Sequence, residues 1–463
     1  MAKQVYPSMS IANPHPPFLS GMQKMGAAVG LIGFLMLLLA WANQLQYGIG
    51  ISLGLITLGT IFFAWDQYRS HPEGIKNNGV WFGSLTNRGL WAWLIGILLT
   101  FFYICLYWYP HLVGLGQEGQ PNRGLVAFFD PVSIAIKAKP ASQWFVYGVL
   151  YTLAILIFGF KFILKYRHNR YQILRTISVM FFQLCFAFAL PEFLDRMNQP
   201  SMDLKNMWPL NYYFFFDWNL DKLLNGGNLG IFMFAWGIAM ILLISPLLTY
   251  FYGKRWYCSW VCGCGGLAET AGDPFRHLSD KSLKAWKIER WLIYSVLVFV
   301  VIMTLMVIYT YVTGQSQILF LNSYSIREWY GFLIGAAFSG VIGVGFYPLM
   351  GSRVWCRFGC PMAAILGLQQ RFFSRFRITT NGGQCISCGN CSTYCEMGID
   401  VRHYAQRGQN IVRASCVGCG ICAAVCPRGV LRLENGSIDI KERTSQVRNI
   451  HVPVDQVKIL TQG

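Results

Sequence analysis

The sequence predicts a polytopic α-helical membrane protein of about eight transmembrane helices that ends in a small, cysteine-rich α+β domain. Three observations carry this. Of 463 residues, 54% are hydrophobic and only 13% charged. Apolar runs of roughly twenty residues, enough to cross a ~30 Å hydrocarbon core, recur eight times. After the last run the composition turns abruptly polar, with cysteines every three or four residues. A mean hydropathy of +0.40 excludes an ordinary soluble multidomain chain.

The runs lie at about 25–44, 47–65, 89–109, 144–164, 174–194, 229–251, 291–312 and 329–350. The first two nearly touch and predict a tight helical hairpin. The first is not expected to be a cleavable signal, because a long polar, proline-rich stretch precedes it and no small-residue cleavage site follows. Lys and Arg collect beside alternate span ends: Arg69, Lys76 and Arg88; Lys165, Arg167, Arg170 and Arg175; Lys254, Arg255, Arg276, Lys281, Lys284, Lys287 and Arg290; then the basic C-terminal segment. The opposite loops carry Glu118, Asp130, Glu192, Asp195, Asp203, Asp217 and Asp221. By the positive-inside rule the basic side is cytoplasmic, with both termini on it. The net charge of +18 then needs no nucleic acid; a basic face against anionic membrane lipid explains it.

Past the eighth run, Cys385, Cys388, Cys391 and Cys395 form C-x2-C-x2-C-x3-C, and Cys416, Cys419, Cys422 and Cys426 repeat it, ending in Pro427. This is the bacterial two-cluster ferredoxin spacing, in which the fourth thiolate of each run crosses to the other cluster. One [4Fe–4S] cluster is therefore expected on Cys385, Cys388, Cys391 and Cys426, and a second on Cys416, Cys419, Cys422 and Cys395. Zinc more often takes separated pairs, and disulfides are disfavoured on a cytoplasmic side. Glu396 stands where a proline often follows the fourth cysteine. The stretch VLRLENGSIDI reads as two short β-prone arms around the turn pair Asn435-Gly436.

A second cysteine pattern lies outside this domain. Gly253 to Gly263 reads GKRWYCSWVCG, and 98 residues on Gly351 to Pro361 reads GSRVWCRFGCP, both Gly-x-Arg-x-aromatic-Cys-x3-Cys at the basic end of a span. The repeat predicts an internal duplication relating spans five and six to spans seven and eight. Cys258, Cys262, Cys356 and Cys360 would then meet across a pseudo-two-fold axis, with Cys264 as a fifth sulfur. Each Cys-x3-Cys spacing on a helix puts both sulfurs on one face, Arg255 and Arg353 favour thiolate, and Pro361 suits a helix first turn. The set reads as a redox-active dithiol, or as a metal or iron–sulfur site. Cys105 and Cys185 lack this context and read as apolar packing residues.

No haem is expected: His15, His71, His111, His168, His277, His403 and His451 lie outside or at the edges of the runs, and no C-x-x-C-H occurs. Gly343-Val344-Gly345 reads as helix packing. Trp208 to Trp218, WPLNYYFFFDW, reads as an interfacial aromatic belt or a quinone pocket. Glu192 and Asp195 either face water or accept quinol protons. Glu269 and Asp273 read as a solvated helix cap, with Thr270, or as part of a proton or metal site.

On spans five to eight, the two Cys-x3-Cys motifs and the tandem, about 174–435, the chain resembles membrane-bound polyferredoxins of the NapH and NosR type. That group is itself similar to the copper-reducing accessory protein of cbb3 oxidase assembly. The resemblance implies an inner-membrane protein exchanging electrons with the quinone pool through cytoplasmic clusters, and makes Cys258, Cys262, Cys356 and Cys360 the paired membrane-edge cysteines. The first motif departs from the Cys-x3-Cys-Pro pattern, reading Cys262-Gly263-Cys264. The expected organisation is a tail at 1–24, a four-helix region at 25–170, a four-helix core at 171–375, the ferredoxin domain at 376–440 and a tail at 441–463. Three readings follow: an electron-transfer subunit, of quinol-dehydrogenase type, between quinone and a partner redox protein or membrane complex; a cofactor-assembly or copper reductase; or a scaffold whose clusters are structural.

Overall fold

The computed structural model describes residues 19–69, 85–117, 119–381 and 384–435. Among them, eight helices are long and apolar enough to cross a membrane: Gly21–Trp41, Ile49–Arg69, Leu90–Trp108, Gln143–Lys165, Arg170–Arg196, Gly227–Tyr252, Leu283–Thr313 and Ser323–Gly345. Each coincides with one apolar run, and the ends differ where capping decides them. Span one starts at Gly21 because Ser20 and Gln23 form a capping box. Span seven starts at Leu283, well before its apolar run, because Ser282 accepts from the Ala285 N–H. Span eight ends before position 350, at a break ahead of Tyr347–Met350, whose second residue is Pro348.

Spans one and two form the expected hairpin. Gly26, Gly30 and Gly59 let the backbones meet, as a Cβ on Gly59 would lie 2.4 Å from the Gly30 nitrogen, and Ser52 Oγ donates to the Gly33 carbonyl at 2.7 Å. Substituting Gly59→Leu is expected to cost about 1–3 kcal/mol, read as a lowered thermal midpoint in detergent.

Sequence reading missed the amphipathic helix Gly124–Lys137, which is too short to span. It packs Leu125, Val126, Phe128 and Phe129 into a core with spans one to four. Its buried Lys137 pairs with Glu192 at 3.2 Å. Spans five, six and eight each contain a π-helical stretch, at Phe182–Ala189, Met240–Ile244 and Gly331–Ile342. Such widened turns often mark functional sites, and here the first and third supply cavity walls.

The C-terminal cap packs on the end where the Lys- and Arg-rich loops gather. Strand Phe376–Thr380 pairs antiparallel with Leu431–Asn435, Ile378 opposite Leu433. The partner of Leu431–Asn435 is thus the strand entering the domain, because that pairing closes the duplicated loops between them. The second arm of the expected Asn435-Gly436 hairpin lies outside the described residues, as do Lys76, Glu118, His15, His71, His451 and the 441–463 tail. Tyr171 Oη donates to the Gly418 carbonyl at 2.8 Å, Gln172 Nε2 to Cys419 at 2.7 Å, Ser259 Oγ to Val417 at 3.1 Å and Lys254 Nζ to Ile411 at 2.7 Å. The cap is therefore held by donors from span five and the first twin motif.

Candidate redox site

Two cavities open within the cap. Cys385, Cys388, Cys391 and Cys426 line the first; Cys395, Cys416, Cys419 and Cys422 line the second. Each gathers three cysteines of one run and the fourth of the other, the crossed pattern the spacing predicts. The backbone repeats with them. Ser387 and Gly418 have positive φ between the first two cysteines of their runs, and Gly389 and Gly420 have positive φ just after the second. Gly389 and Gly420 then start the short helices Asn390–Thr393 and Ile421–Ala424, which carry Cys391 and Cys422. Four thiolates on one zinc ion would sit about 3.8 Å apart, from 2.3 Å bonds in a tetrahedron. Among the described residues no three His, Cys, Asp or Glu converge at single-ion spacing, and every cysteine is a free thiol. The donor sets fit a wider cubane. The second cavity lies against the membrane-side helices, while the first faces outward, with Ile386 49% exposed on its rim.

The twin motifs come together beneath the cap. Cys258, Cys262, Cys356 and Cys360 are buried in one core cluster, and partly buried Cys264 packs on it. The two cysteines of each motif do not share one helix, contrary to the sequence expectation. Cys258 lies in Trp256–Trp260 and Cys262 is the N-cap of Gly263–Thr270. Likewise Cys356 lies in Trp355–Gly359 and Cys360 is the N-cap of Pro361–Phe373. The chain breaks between the cysteines so that each pair folds round a corner.

The two halves exchange arginines. Arg255 Nη1 donates to the Cys356 carbonyl at 3.0 Å, and Arg353 Nη1 to the Cys258 carbonyl at 3.1 Å. This reciprocity makes the pair pseudo-two-fold. Their effect on ionisation is less than the sequence suggested: burial pushes the Cys258 and Cys356 thiols up and outweighs both arginines, and it raises Cys360 as well. Such thiols ionise when a metal takes them. Cys262 differs. A hydrogen bond from Cys264, aided against burial by Lys205 and the Gly265 and Cys264 N–H groups, brings it down to about 6.

From Arg353 an ionic network runs into the second cavity. Arg353 Nη2 lies 2.9 Å from Glu396 Oε1 and 3.6 Å from Glu269 Oε2, and its Nη1 is 3.9 Å from Cys356 Sγ. Glu269 also pairs with Arg175. Glu396, on the wall of the second cavity, pairs with Arg276 at 3.6 Å. Arg276 in turn reaches Asp273 at 3.0 Å, which binds Lys165 at 2.7 Å and Lys161 at 3.7 Å. Glu269 and Asp273 are thus not a solvated cap but 3% and 0% exposed, and Thr270 instead donates to the Gly266 carbonyl. Lys165, Arg175, Arg276, Lys254 and Arg255 are buried too. Sequence reading assigned their charge to the lipid-facing surface because charge alone does not distinguish a cation facing phosphate from one facing carboxylate.

Below the twin set lies a cavity of about 490 Å³ among spans three, four, five and eight and the loop that follows span five. Cys262 and Cys264 line one part. Tyr103, Tyr107, Tyr147, Tyr151, Tyr212, Tyr213, Tyr257 and Tyr330 surround it, and Glu192, Asp203 and Lys205 line the part near the opposite loops. Lys205, missed in the sequence, is 7% exposed and lies 3.0 Å from Asp203. Burial lowers Lys205, but Asp203 and then the Cys262 sulfur outweigh it, and its ammonium is held charged. The Trp208–Trp218 segment turns inward, with Phe214 1% exposed and Leu210, Tyr212 and Tyr213 on the cavity wall. It is chiefly a wall rather than a lipid belt. Glu192 is half-buried against Lys137, and Asp195 pairs with Lys139 at 2.9 Å; neither simply faces water. Cys105 is fully buried in the core of spans one to four. Gly345 is packed against Thr100 of span three, which is helix packing as expected.

Comparison with known proteins follows this division. The family described as a 4Fe-4S dicluster domain matches residues 384–431. A second family, described as a 4Fe-4S binding domain, matches twice, at 233–282 and 332–379, each match containing one twin motif. Among curated proteins, the chain is 25% identical over 171 residues to the Escherichia coli (strain K12) protein named "Putative electron transport protein YccM", covering 35% of this chain and 47% of that one. It is 24% identical over 159 residues to an uncharacterized protein of Methanocaldococcus jannaschii, covering 34% and 58%. The matched part thus spans about half the length of either relative. No solved structure matches. The chain is a mostly helical protein with eight candidate membrane spans and 4Fe–4S ferredoxin-type domains, similar over about a third of its length to a protein named for electron transport.

Proposed function

We propose that this chain is an iron–sulfur electron-transport protein that passes electrons between a quinone bound in the tyrosine-lined cavity and a partner redox protein at the cap. One observation carries the reading: the cavity ends on Cys262 and Cys264 of the twin set, whose Arg353 continues into the wall of the second cap cavity. In this reading Cys385, Cys388, Cys391 and Cys426 hold one cluster, and Cys395, Cys416, Cys419 and Cys422 the second. Cys258, Cys262, Cys356 and Cys360 hold a third iron–sulfur centre, with Cys264 beside it. Bound there, the clusters supply one-electron steps at potentials set by their surroundings. The protein's own groups do the rest. Tyrosine hydroxyls and Lys205 offer hydrogen bonds to quinone oxygens. Glu192 and Asp203, at the end away from the cap, receive the protons a quinol gives up. The corner at each motif fixes the cysteines, and the exchanged arginines hold the two corners together. The four-helix region 25–170 flanks the core 171–375, and the ferredoxin domain 376–440 is cytoplasmic on a bacterial inner membrane, as the alternating basic loops support.

The decisive measurement is iron and acid-labile sulfide per chain in wild type and in the Cys258→Ser, Cys356→Ser double variant. About twelve irons falling to about eight is the expected result. Eight in both, with stoichiometric copper lost in the variant, would instead favour the copper-reductase reading, since soft thiolates select Cu(I).

A further inference from the structure

The buried network between the twin set and the second cap cavity holds more positive charge than the protein neutralises. Five cations, Lys161, Lys165, Arg175, Arg276 and Arg353, face three carboxylates, Glu269, Asp273 and Glu396. Apart from Lys161, at 14%, these side chains are no more than 4% exposed. Arg353 Nε and Arg276 Nη1 have no hydrogen-bond partner within the protein. Buried charge left unpaired is among the most destabilising features a fold can carry, so the surplus calls for a neighbouring anion that is not a side-chain carboxylate. The neighbours are cysteine sulfurs. Arg353 approaches Cys356 Sγ on one side, and on the other it ends on Glu396, next to Cys395 of the second cavity. A cubane bound by four thiolates is a dianion in its oxidised form and gains one more negative charge with each electron.

The two halves of the cap differ at this point. Glu396, wedged between Arg276 and Arg353, follows the fourth cysteine of the first run. Pro427 follows that of the second, and its cavity is lined by exposed Arg402 and Arg428, with no such network among the described residues. Lys281 and Arg413 also act on Cys395.

Resting on the three-centre reading above, we infer that the network is the counter-charge of the second cluster and the twin centre. It sets their reduction potentials jointly and leaves the first cluster's to solvent. Glu396 and Arg353 are then positioning residues for charge rather than ligands. Electrostatic control of cluster potential through net charge and burial is general; the assignment to these side chains is specific.

The test is a redox titration followed by low-temperature EPR, on protein with its full iron content. Glu396→Gln removes one negative charge beside the second cluster and should raise that cluster's potential without moving the first. Arg353→Gln should lower the second cluster and the twin centre together, and Arg353→Lys should restore most of the shift, which a purely structural role would not do. If the network variants lose iron, Pro427→Glu on the exposed half keeps the idea open to refutation. It should lower the first cluster only, and by less than Glu396→Gln raises the second, because solvent screens it. Equal movement of all centres, or none with iron retained, would overturn the inference. Two titrating centres in place of three would sink the functional reading, while the contrast between first and second clusters would still stand or fall by itself.

Discussion

Replacing Asp273 by asparagine is expected to destabilise the chain by about 3–5 kcal/mol, the usual consequence of removing one partner from a buried ionic cluster. Asp273 is 0% exposed and touches Lys165, Lys161 and Arg276. Its loss takes the carboxylate from Lys165 and Lys161 and leaves Arg276 with Glu396. Burial alone would raise its carboxyl, but Lys165, then Arg276 and Lys161, outweigh that and hold it well below the usual carboxylate range. A carboxyl depressed in the folded state stabilises fully above its unfolded value near 4, and that stability is lost progressively as pH falls from there through the folded value. The penalty of Asp273→Asn should therefore be constant across neutral pH and shrink only in strong acid. Thermal midpoints of wild type and variant between about pH 8 and pH 3 check both statements. A penalty that already vanished at pH 6 would refute the assignment.

Filling the tyrosine cavity should abolish exchange with quinol while sparing the clusters. A Cβ placed on Gly335 would lie 2.7 Å from Tyr212 Oη, so Gly335→Phe drives a ring into the space between Tyr212 and Ser339. A misplacement of about 1 Å in a reacting pair can cost about 10²-fold in rate, and a ring within the cavity displaces a substrate further than that. Reduction of the clusters by a soluble quinol analogue should fall at least that far, and reduction by dithionite should not change. Stopped-flow absorbance of the clusters separates the two. Equal rates of quinol reduction in variant and wild type would place the substrate elsewhere.

The sequence was a good guide where a pattern is periodic or local. Eight apolar runs became eight helices, because length and apolarity alone decide whether a helix can cross lipid. The crossed cysteine sets around the two cap cavities were legible because Cys-x2-Cys-x2-Cys spacing confines three sulfurs to one loop. The twin motif was legible as a repeat but not as a shape: the corner between Cys258 and Cys262 comes from packing of Gly265 against the Cys258 carbonyl, which spacing does not encode. Three kinds of feature were missed. The helix Gly124–Lys137 has a helical period but too few apolar residues to stand out beside spans. The Lys205–Asp203 pair lies in a loop whose partners come from spans six, seven and eight. The buried network joins residues up to 235 positions apart, from Lys161 to Glu396, and each of its cations looks in sequence like any membrane-flanking base.

The exchange of arginines between the twin motifs bears on how such a chain could have arisen. Because Arg255 completes the corner that carries Cys356, and Arg353 the one that carries Cys258, neither motif is finished by its own half. A polypeptide with only one of the two motifs would have to find a second copy of itself before either corner could close. The four-helix core is in that sense a homodimer whose subunits have been joined end to end, and the join lets the two copies differ: one carries Cys264 where the other carries Met362.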